Sequence, residues 1–174
     1  EESITVLRDQ GAREIAILHC VSSYPAPPED CNLKVIPELE RRFAVPSGWS
    51  DHTRGIHIAL AALALGASII EKHFTLNRNM DGPDHKASLE PDELITMIKS
   101  IRNIEKALGS KTKAVSLSEN QNIQIVRKCI VASNIINIGD KFSEENLTVK
   151  RAGSGLSPML WEALIVEKAK KKYN

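Results

Sequence analysis

Two histidines, His52 and His73, flank the apolar core of one segment, WSDHTRGIHIALAALALGASIIEKHF, residues 49–74. Neutral imidazole is the commonest side-chain ligand for a metal ion. Side chains alternate along a strand, so Ser50 and His52 share one face, and Ile69, Glu71 and His73 share another. If the helix between them is a right-handed crossover, the two strands are parallel and adjacent. Neighbouring strands lie about 4.8 Å apart. Two imidazoles at adjacent strand ends can then reach one metal at about 2.1 Å from each nitrogen. A site with only two imidazoles leaves positions open for water and substrate oxygens, which suits catalysis more than structure. The residues alone leave a second reading open, in which both histidines are hydrogen-bonded strand-end residues. In the metal reading Asp51 and Glu71 lie alongside. His57 falls inside a helical pattern and His19 inside an earlier strand, and both read as structural.

Further candidates fall on the same side of the strands. The loop GPDHKAS carries Asp84, His85, Lys86 and Ser88, and it reads either as a solvated turn or as part of a site. Ser22 and Tyr24 end an earlier strand, just before PAPPED. That proline-rich turn stops the strand and fixes where Tyr24 points.

The elements that must position these residues alternate. EESITVLRDQG reads as a helix ending at Gly11, EIAILHC as a strand, and EDCNLKVIPELERRF as helical. VPSGWSDH is a short strand and loop, TRGIHIALAALALG a helix stopped by Gly66, and SIIEKHFTL a strand. DELITMIKSIRNIEKALG is an amphipathic helix, with Leu94, Ile98, Ile101, Ile104 and Leu108 on one face. Strands alternating with helices give βα units and a parallel sheet, an α/β class. In a βα barrel the loops after the strands build the active site. Three strands are visible, and a closed eight-stranded barrel needs about 250 residues. The expectation is therefore the second half of a (β/α)8 barrel over residues 1–110. Residues 111–124 read as a polar linker. Residues 125–174 read as a small β-rich module, with a helix beginning at SPMLWEALI.

Composition bounds the partners. The 174 residues are 42% hydrophobic and 26% charged, with a formal net charge of +1. That is an ordinary globular balance, and it implies no nucleic-acid partner. The basic cluster EKAKKKYN reads as a solvated end. The apolar run 56–70 is short for a membrane span, which needs about 20 residues. Cys20, Cys31 and Cys129 are odd in number with no CxxC pair, which fits free thiols and a cytoplasmic location. No signal peptide is visible. The absence of an initial Met fits an internal piece of something longer.

Taken in order, HCVSSYPAPPEDCNL, GWSDHTRGIHIALAALALGASIIEKHFTL, GPDHKASLEPDEL and ENLTVKRAGSGLSP resemble the sialic acid synthase family. That family comprises the bacterial N-acetylneuraminate synthases and the similar legionaminic acid synthases. The resemblance covers nearly the whole chain. It implies a (β/α)8 barrel followed by a small antifreeze-like (SAF) domain, here truncated. It implies condensation of phosphoenolpyruvate with N-acetylmannosamine and water, giving N-acetylneuraminate and phosphate. The alternative sugar is 2,4-diacetamido-2,4,6-trideoxymannose, the legionaminic acid precursor. It further implies a divalent metal, typically manganese with magnesium or cobalt as alternatives, and a domain-swapped homodimer.

By resemblance His52 and His73 are the metal ligands and Glu71 is the active-site glutamate. Ser50 falls where phosphoenolpyruvate is contacted, and Tyr24 and Asp84 at sugar-binding positions. Ser22 stands where some members carry asparagine at a sugar contact. Arg151 matches the SAF arginine that reaches the sugar across the dimer. The family's phosphate-gripping lysines lie largely in the first barrel half. A competing reading without catalysis is a binding or assembly module. The 174-residue chain alone is expected to be inactive, because three strands cannot close a barrel and would leave edges unpaired. Turnover of phosphoenolpyruvate and sugar by the purified, monomeric chain would overturn that expectation.

Overall fold

Three short runs pair into one parallel sheet: β1 (Ile17–Cys20), β2 (Ser47–Asp51) and β3 (Ile69–Lys72), in the order β1-β2-β3. The structure is a computed structural model that describes residues 1–174, Gln124 only by its place in a helix. The chain divides into two units, Glu1–Ser110 and Lys111–Asn174. In the first unit α1 (Glu2–Asp9) precedes β1, α2 (Val35–Phe43) links β1 to β2, and α3 (His57–Ala64) links β2 to β3. The long helix α4 (Pro91–Leu108) follows the loop after β3. A parallel sheet of successive βα units is consistent with part of a (β/α)8 barrel.

One face of the sheet is covered and the other is open. Trp49 on the covered face is fully buried among Cys31, Ile36, Ala62 and Ala67. Full burial of a side chain such as Ile36 contributes roughly 1.5–3 kcal/mol. The small residues Ala59 and Ala62 are the buried positions of α3, which lets that helix lie close to β2. On the opposite face Cys20, Ile69 and Glu71 are exposed.

The packed face of α4 matches part of the stripe its apolar residues predict. Met97 is buried, with Leu94 and Ile101 against the same cluster, Ala59 and Leu89. Ile98 and Leu108 are exposed. Ile104 is half-buried, so three of the five expected positions turn inward and Met97 completes the buried face.

Gly48 sets the strand spacing. A Cβ added there would lie 2.5 Å from the Ile69 backbone oxygen and 2.9 Å from the Ile69 Cβ. No real Cβ accommodates such contacts, so only glycine lets β3 approach β2 at this rung.

The loop between β3 and α4 is anchored. Leu89 N–H donates to the His73 oxygen at 3.0 Å, and Thr75 N–H donates to the Leu89 oxygen at 2.9 Å. Arg78 donates through Nε to the Ser88 oxygen at 3.0 Å and through its backbone N–H to Glu90 at 2.9 Å. Its guanidinium also pairs with Glu93. Glu93 accepts the Glu90 backbone N–H at 3.0 Å, which caps α4. The Arg78 hydrogen bond, and then the Glu90 N–H, hold the Glu93 carboxyl below its ordinary value.

The second unit carries an antiparallel pair, β4 (Cys129–Ala132) and β5 (Leu147–Lys150). Ile130, Ile136, Phe142, Leu147 and Ala169 form its core. The one-turn helices α5 (Leu117–Asn120) and α6 (Ile123–Val126) precede β4, and α7 (Trp161–Leu164) follows β5.

Two outcomes follow for the full-length protein. Gly48→Ala should destabilise by about 1–3 kcal/mol, as overpacking does; an unchanged denaturation midpoint would show that β2 and β3 tolerate wider spacing. The Glu93 carboxyl is lowered, so its contribution is present above the ordinary carboxylate range, about 4.3. It is lost as pH falls through the lower folded value. Amide exchange in residues 77–88 should therefore rise in that acid window, and Arg78→Met should raise it already at neutral pH. Equal protection in wild type and Arg78→Met at neutral pH would count against this anchor.

Candidate active site

The pairing of β2 with β3 decides what meets what. Ser50 stands opposite Glu71 and Asp51 opposite Lys72. One further rung brings His52 opposite His73. Their ring centroids are 5.4 Å apart at 79°. The Tyr24 ring completes the group, 5.1 Å from His52 and 4.2 Å from His73. Tyr24 arrives from the loop after β1, which Ala26 ties down by donating to the His52 backbone oxygen at 2.9 Å.

The protonation pattern of His52 follows from its partner. Nδ1 lies 2.8 Å from the Val21 backbone oxygen. A carbonyl can only accept, so Nδ1 carries the hydrogen and Nε2 offers its lone pair. That is how a protein prepares an imidazole for a metal. His73 Nδ1 lies 3.6 Å from Asp84 Oδ2, an electrostatic approach beyond hydrogen-bond length. A metal held at about 2.1 Å by two imidazole nitrogens places the ring centres roughly 5 Å apart, close to the observed spacing. Among the described residues, no group of three or more His, Cys, Asp or Glu side chains surrounds a metal position. The two imidazoles are the nitrogen donors this arrangement would offer a metal, with the remaining positions open to water and substrate.

The carboxylate and hydroxyl neighbours form two hydrogen-bonded pairs. Ser50 Oγ donates to Glu71 Oε1 at 2.6 Å. Tyr24 and Ser88 share a hydrogen bond at 3.2 Å, and Ser88 Oγ donates to the Asp84 backbone oxygen at 2.7 Å. Burial pushes the Tyr24 phenol above its ordinary value; the Ser88 bond offsets part of this, and the Asp84 and Asp51 carboxylates add to it. Tyr24 thus stays a neutral donor across the physiological range. Ser22 is exposed in the turn after β1. Arg151 belongs to the second unit, where its Nε donates to the Val126 oxygen at 3.2 Å. His19 packs against Trp49 and bonds the Cys31 oxygen, as a structural histidine does.

Two features differ from the sequence reading. Asp51, expected beside His52, faces the helices instead, because alternate strand residues point to opposite sides. There it forms a buried ion pair with Lys72 at 2.9 Å. Two charged residues at helix-facing positions were a signal in the alternation itself. Cys20, not singled out from sequence, stands opposite Ser50 in the β1–β2 register and brings its Sγ to 3.7 Å from His52 Nδ1. Its position required knowing which strand neighbours β2.

Comparisons with known proteins identify the family. Residues 1–113 match the model of the NeuB family. The chain is 53% identical over 175 residues to the N,N'-diacetyllegionaminic acid synthase of Campylobacter jejuni, covering 99% of this chain and 52% of that protein. It is 45% identical over 134 residues to the N-acetylneuraminate-9-phosphate synthase of mouse, covering 76% of this chain and 37% of that protein. The crystal structure of N-acetylneuraminic acid (sialic acid) synthetase from Leptospira borgpetersenii, in complex with citrate, matches with a TM-score of 0.64 at 38% identity. That match covers 71% of this chain and 43% of the solved one. The chain spans about half the length of the legionaminic acid synthase it matches. With the family model covering most of the chain, and with a relative more than half identical across nearly all of it, this chain belongs to the NeuB family.

Proposed function

We propose that the protein condenses phosphoenolpyruvate with an N-acetylated mannose-type sugar and water, releasing phosphate and forming a nine-carbon sugar acid. The observation that carries this reading is the His52–His73 pair at the ends of two paired strands, with Glu71 and Ser50 on the same face two residues earlier. The pair would hold a divalent cation, for which we take manganese with magnesium or cobalt as alternatives. Such a cation polarises a carbonyl oxygen as a Lewis acid, which here is the aldehyde of the open-chain sugar.

The remaining steps belong to the chain. His52, with Nδ1 committed to Val21, keeps Nε2 aimed as a ligand. Tyr24 and the Asp84 loop, joined through Ser88, form a wall of donors and acceptors for sugar hydroxyls. Carbon 3 of phosphoenolpyruvate attacks the aldehyde, water adds at carbon 2, and phosphate leaves with cleavage of the C–O bond. Glu71 is within reach of a proton in this sequence, with its carboxylate oriented by Ser50. Ser50 can turn its hydroxyl from Glu71 to phosphoenolpyruvate on binding. Ser22 lies beside the sugar wall as a weaker contact. The second unit serves as the SAF module of residues 125–174, after a linker at 111–124, and its Arg151 reaches the sugar in the neighbouring subunit of a homodimer.

The sugar is the open choice between N-acetylmannosamine and its 2,4-diacetamido-2,4,6-trideoxy relative. The 53% identity to the Campylobacter jejuni legionaminic acid synthase keeps the diacetamido sugar as the alternative to N-acetylmannosamine. Full-length protein supplied with phosphoenolpyruvate and each sugar in turn should release phosphate in step with sugar consumption, and product mass identifies the acid. Sugar cleavage or condensation without phosphate release would point instead to another metal-dependent aldolase.

His52→Ala and His73→Ala should each abolish activity while leaving most of the fold, because one ligand of a two-imidazole site is lost. Manganese titration read by electron paramagnetic resonance checks this. Unchanged affinity in either variant would remove the metal assignment and favour a binding or assembly role.

A further inference from the structure

Directly behind the two histidines lies a buried charged cluster that the proposed chemistry does not use. Asp51 precedes His52 and Lys72 precedes His73, and the two are register partners on the last named rung of the β2–β3 ladder. Their side chains are 0% and 3% exposed. Lys72 Nζ donates to Asp51 Oδ2 at 2.9 Å and to the Thr53 backbone oxygen at 2.6 Å. Asp51 Oδ1 accepts from the Thr53 N–H at 2.8 Å and from Thr53 Oγ1 at 2.7 Å. Thr53 itself is 2% exposed. Lys72 therefore grips the chain on both sides of His52 while its own backbone leads into His73.

Stability alone does not account for a charged pair here. Removing two ions from water carries a large desolvation cost for each ion. Apolar residues of similar volume in place of a buried pair are often neutral or stabilising. What the pair supplies is geometry. At Thr53 the chain leaves the sheet, and its N–H and C=O no longer have ladder partners. Asp51 takes the first and Lys72 the second. The exit angle of β2 is thereby tied to the end of β3, across the interval that separates the two imidazoles.

We propose that Asp51 and Lys72 are positioning residues that fix the separation and orientation of His52 and His73 for a divalent cation. This rests on the metal reading of the two histidines. Neither side chain touches the cation or the substrates, since both point to the helix-facing side of the sheet. Asp51 and Lys72 act through the backbones of the residues that follow them.

The test uses the full-length protein and three variants: Lys72→Met, the double variant Asp51→Asn/Lys72→Met, and His52→Ala. Lys72→Met should lower the urea midpoint, because it strands a buried carboxylate. The double variant removes both charges and should recover most of that loss. Its manganese affinity should nevertheless fall about 10–100-fold, the range typical when support behind metal ligands is removed. The absorption spectrum of the cobalt-loaded double variant should shift as well, because ligand orientation sets it. A double variant with wild-type stability, manganese affinity and cobalt spectrum would overturn the proposal and leave the pair a purely structural feature. Should the double variant not fold, Thr53→Val replaces it, keeping both charges and removing one donor to Asp51; unchanged affinity and spectrum there would overturn the proposal equally. Wild type that binds no manganese, or His52→Ala that binds it as wild type does, would overturn the metal reading and this inference with it. Loss of binding in His52→Ala beside unchanged binding in the double variant would overturn this inference alone.

Discussion

The register between β2 and β3 is the constraint on which the rest of the first unit depends. Side chains on a strand repeat with period 2, so a slip of one residue would send a whole set of side chains to the other face. In the observed register Ser50 meets Glu71 and Asp51 meets Lys72. His52 and His73 then fall together on the open face, and the ion pair falls on the helix-facing side. Three features hold this register. Gly48 admits the Ile69 backbone at a distance closed to any other residue. Trp49 anchors β2 in the apolar core. The Asp51–Lys72–Thr53 cluster locks the far end.

The two faces of the sheet do different work. The helix-facing side is filled by Cys31, Ile36, Trp49, Ala62 and Ala67, so its stabilisation is burial. The other face carries Cys20, Ser50, His52, Glu71 and His73, whose hydrogen bonds and ring contacts orient side chains without filling a core. The loops follow the same division. Arg78 donates to Ser88, Glu90 and Glu93 at the base of its loop, and Asp84 is exposed. A rigid loop base with a free tip is a common way to present polar groups to a ligand.

Much of this was legible in the sequence. Strand and helix alternation announced a parallel α/β sheet, and the three strands lie where the β-rich runs EIAILHC, SGWSD and SIIEK stand. The approach of His52 to His73 followed from one crossover and the period of 2. The stripe on α4 was legible only in part. Leu94 and Ile101 pack, but Met97 rather than Ile98 is buried. Adjacent positions on an apolar helix differ by 100° around the axis, and the neighbouring helix decides which of them turns inward.

By itself the sequence determined the local periods, the order of the elements, and which residue types stand at strand ends. Those are properties of a few consecutive residues, written in alternation, glycine placement and capping. Only the tertiary structure decided that Cys20 lies against His52, that Tyr24 meets His52 edge-on and His73 at a tilt, and that Asp51 pairs with Lys72 from the next strand. Each of those contacts joins residues more than twenty positions apart. Their distance is set by strand order and register, which arise when whole elements pack, and no window of neighbouring residues contains them.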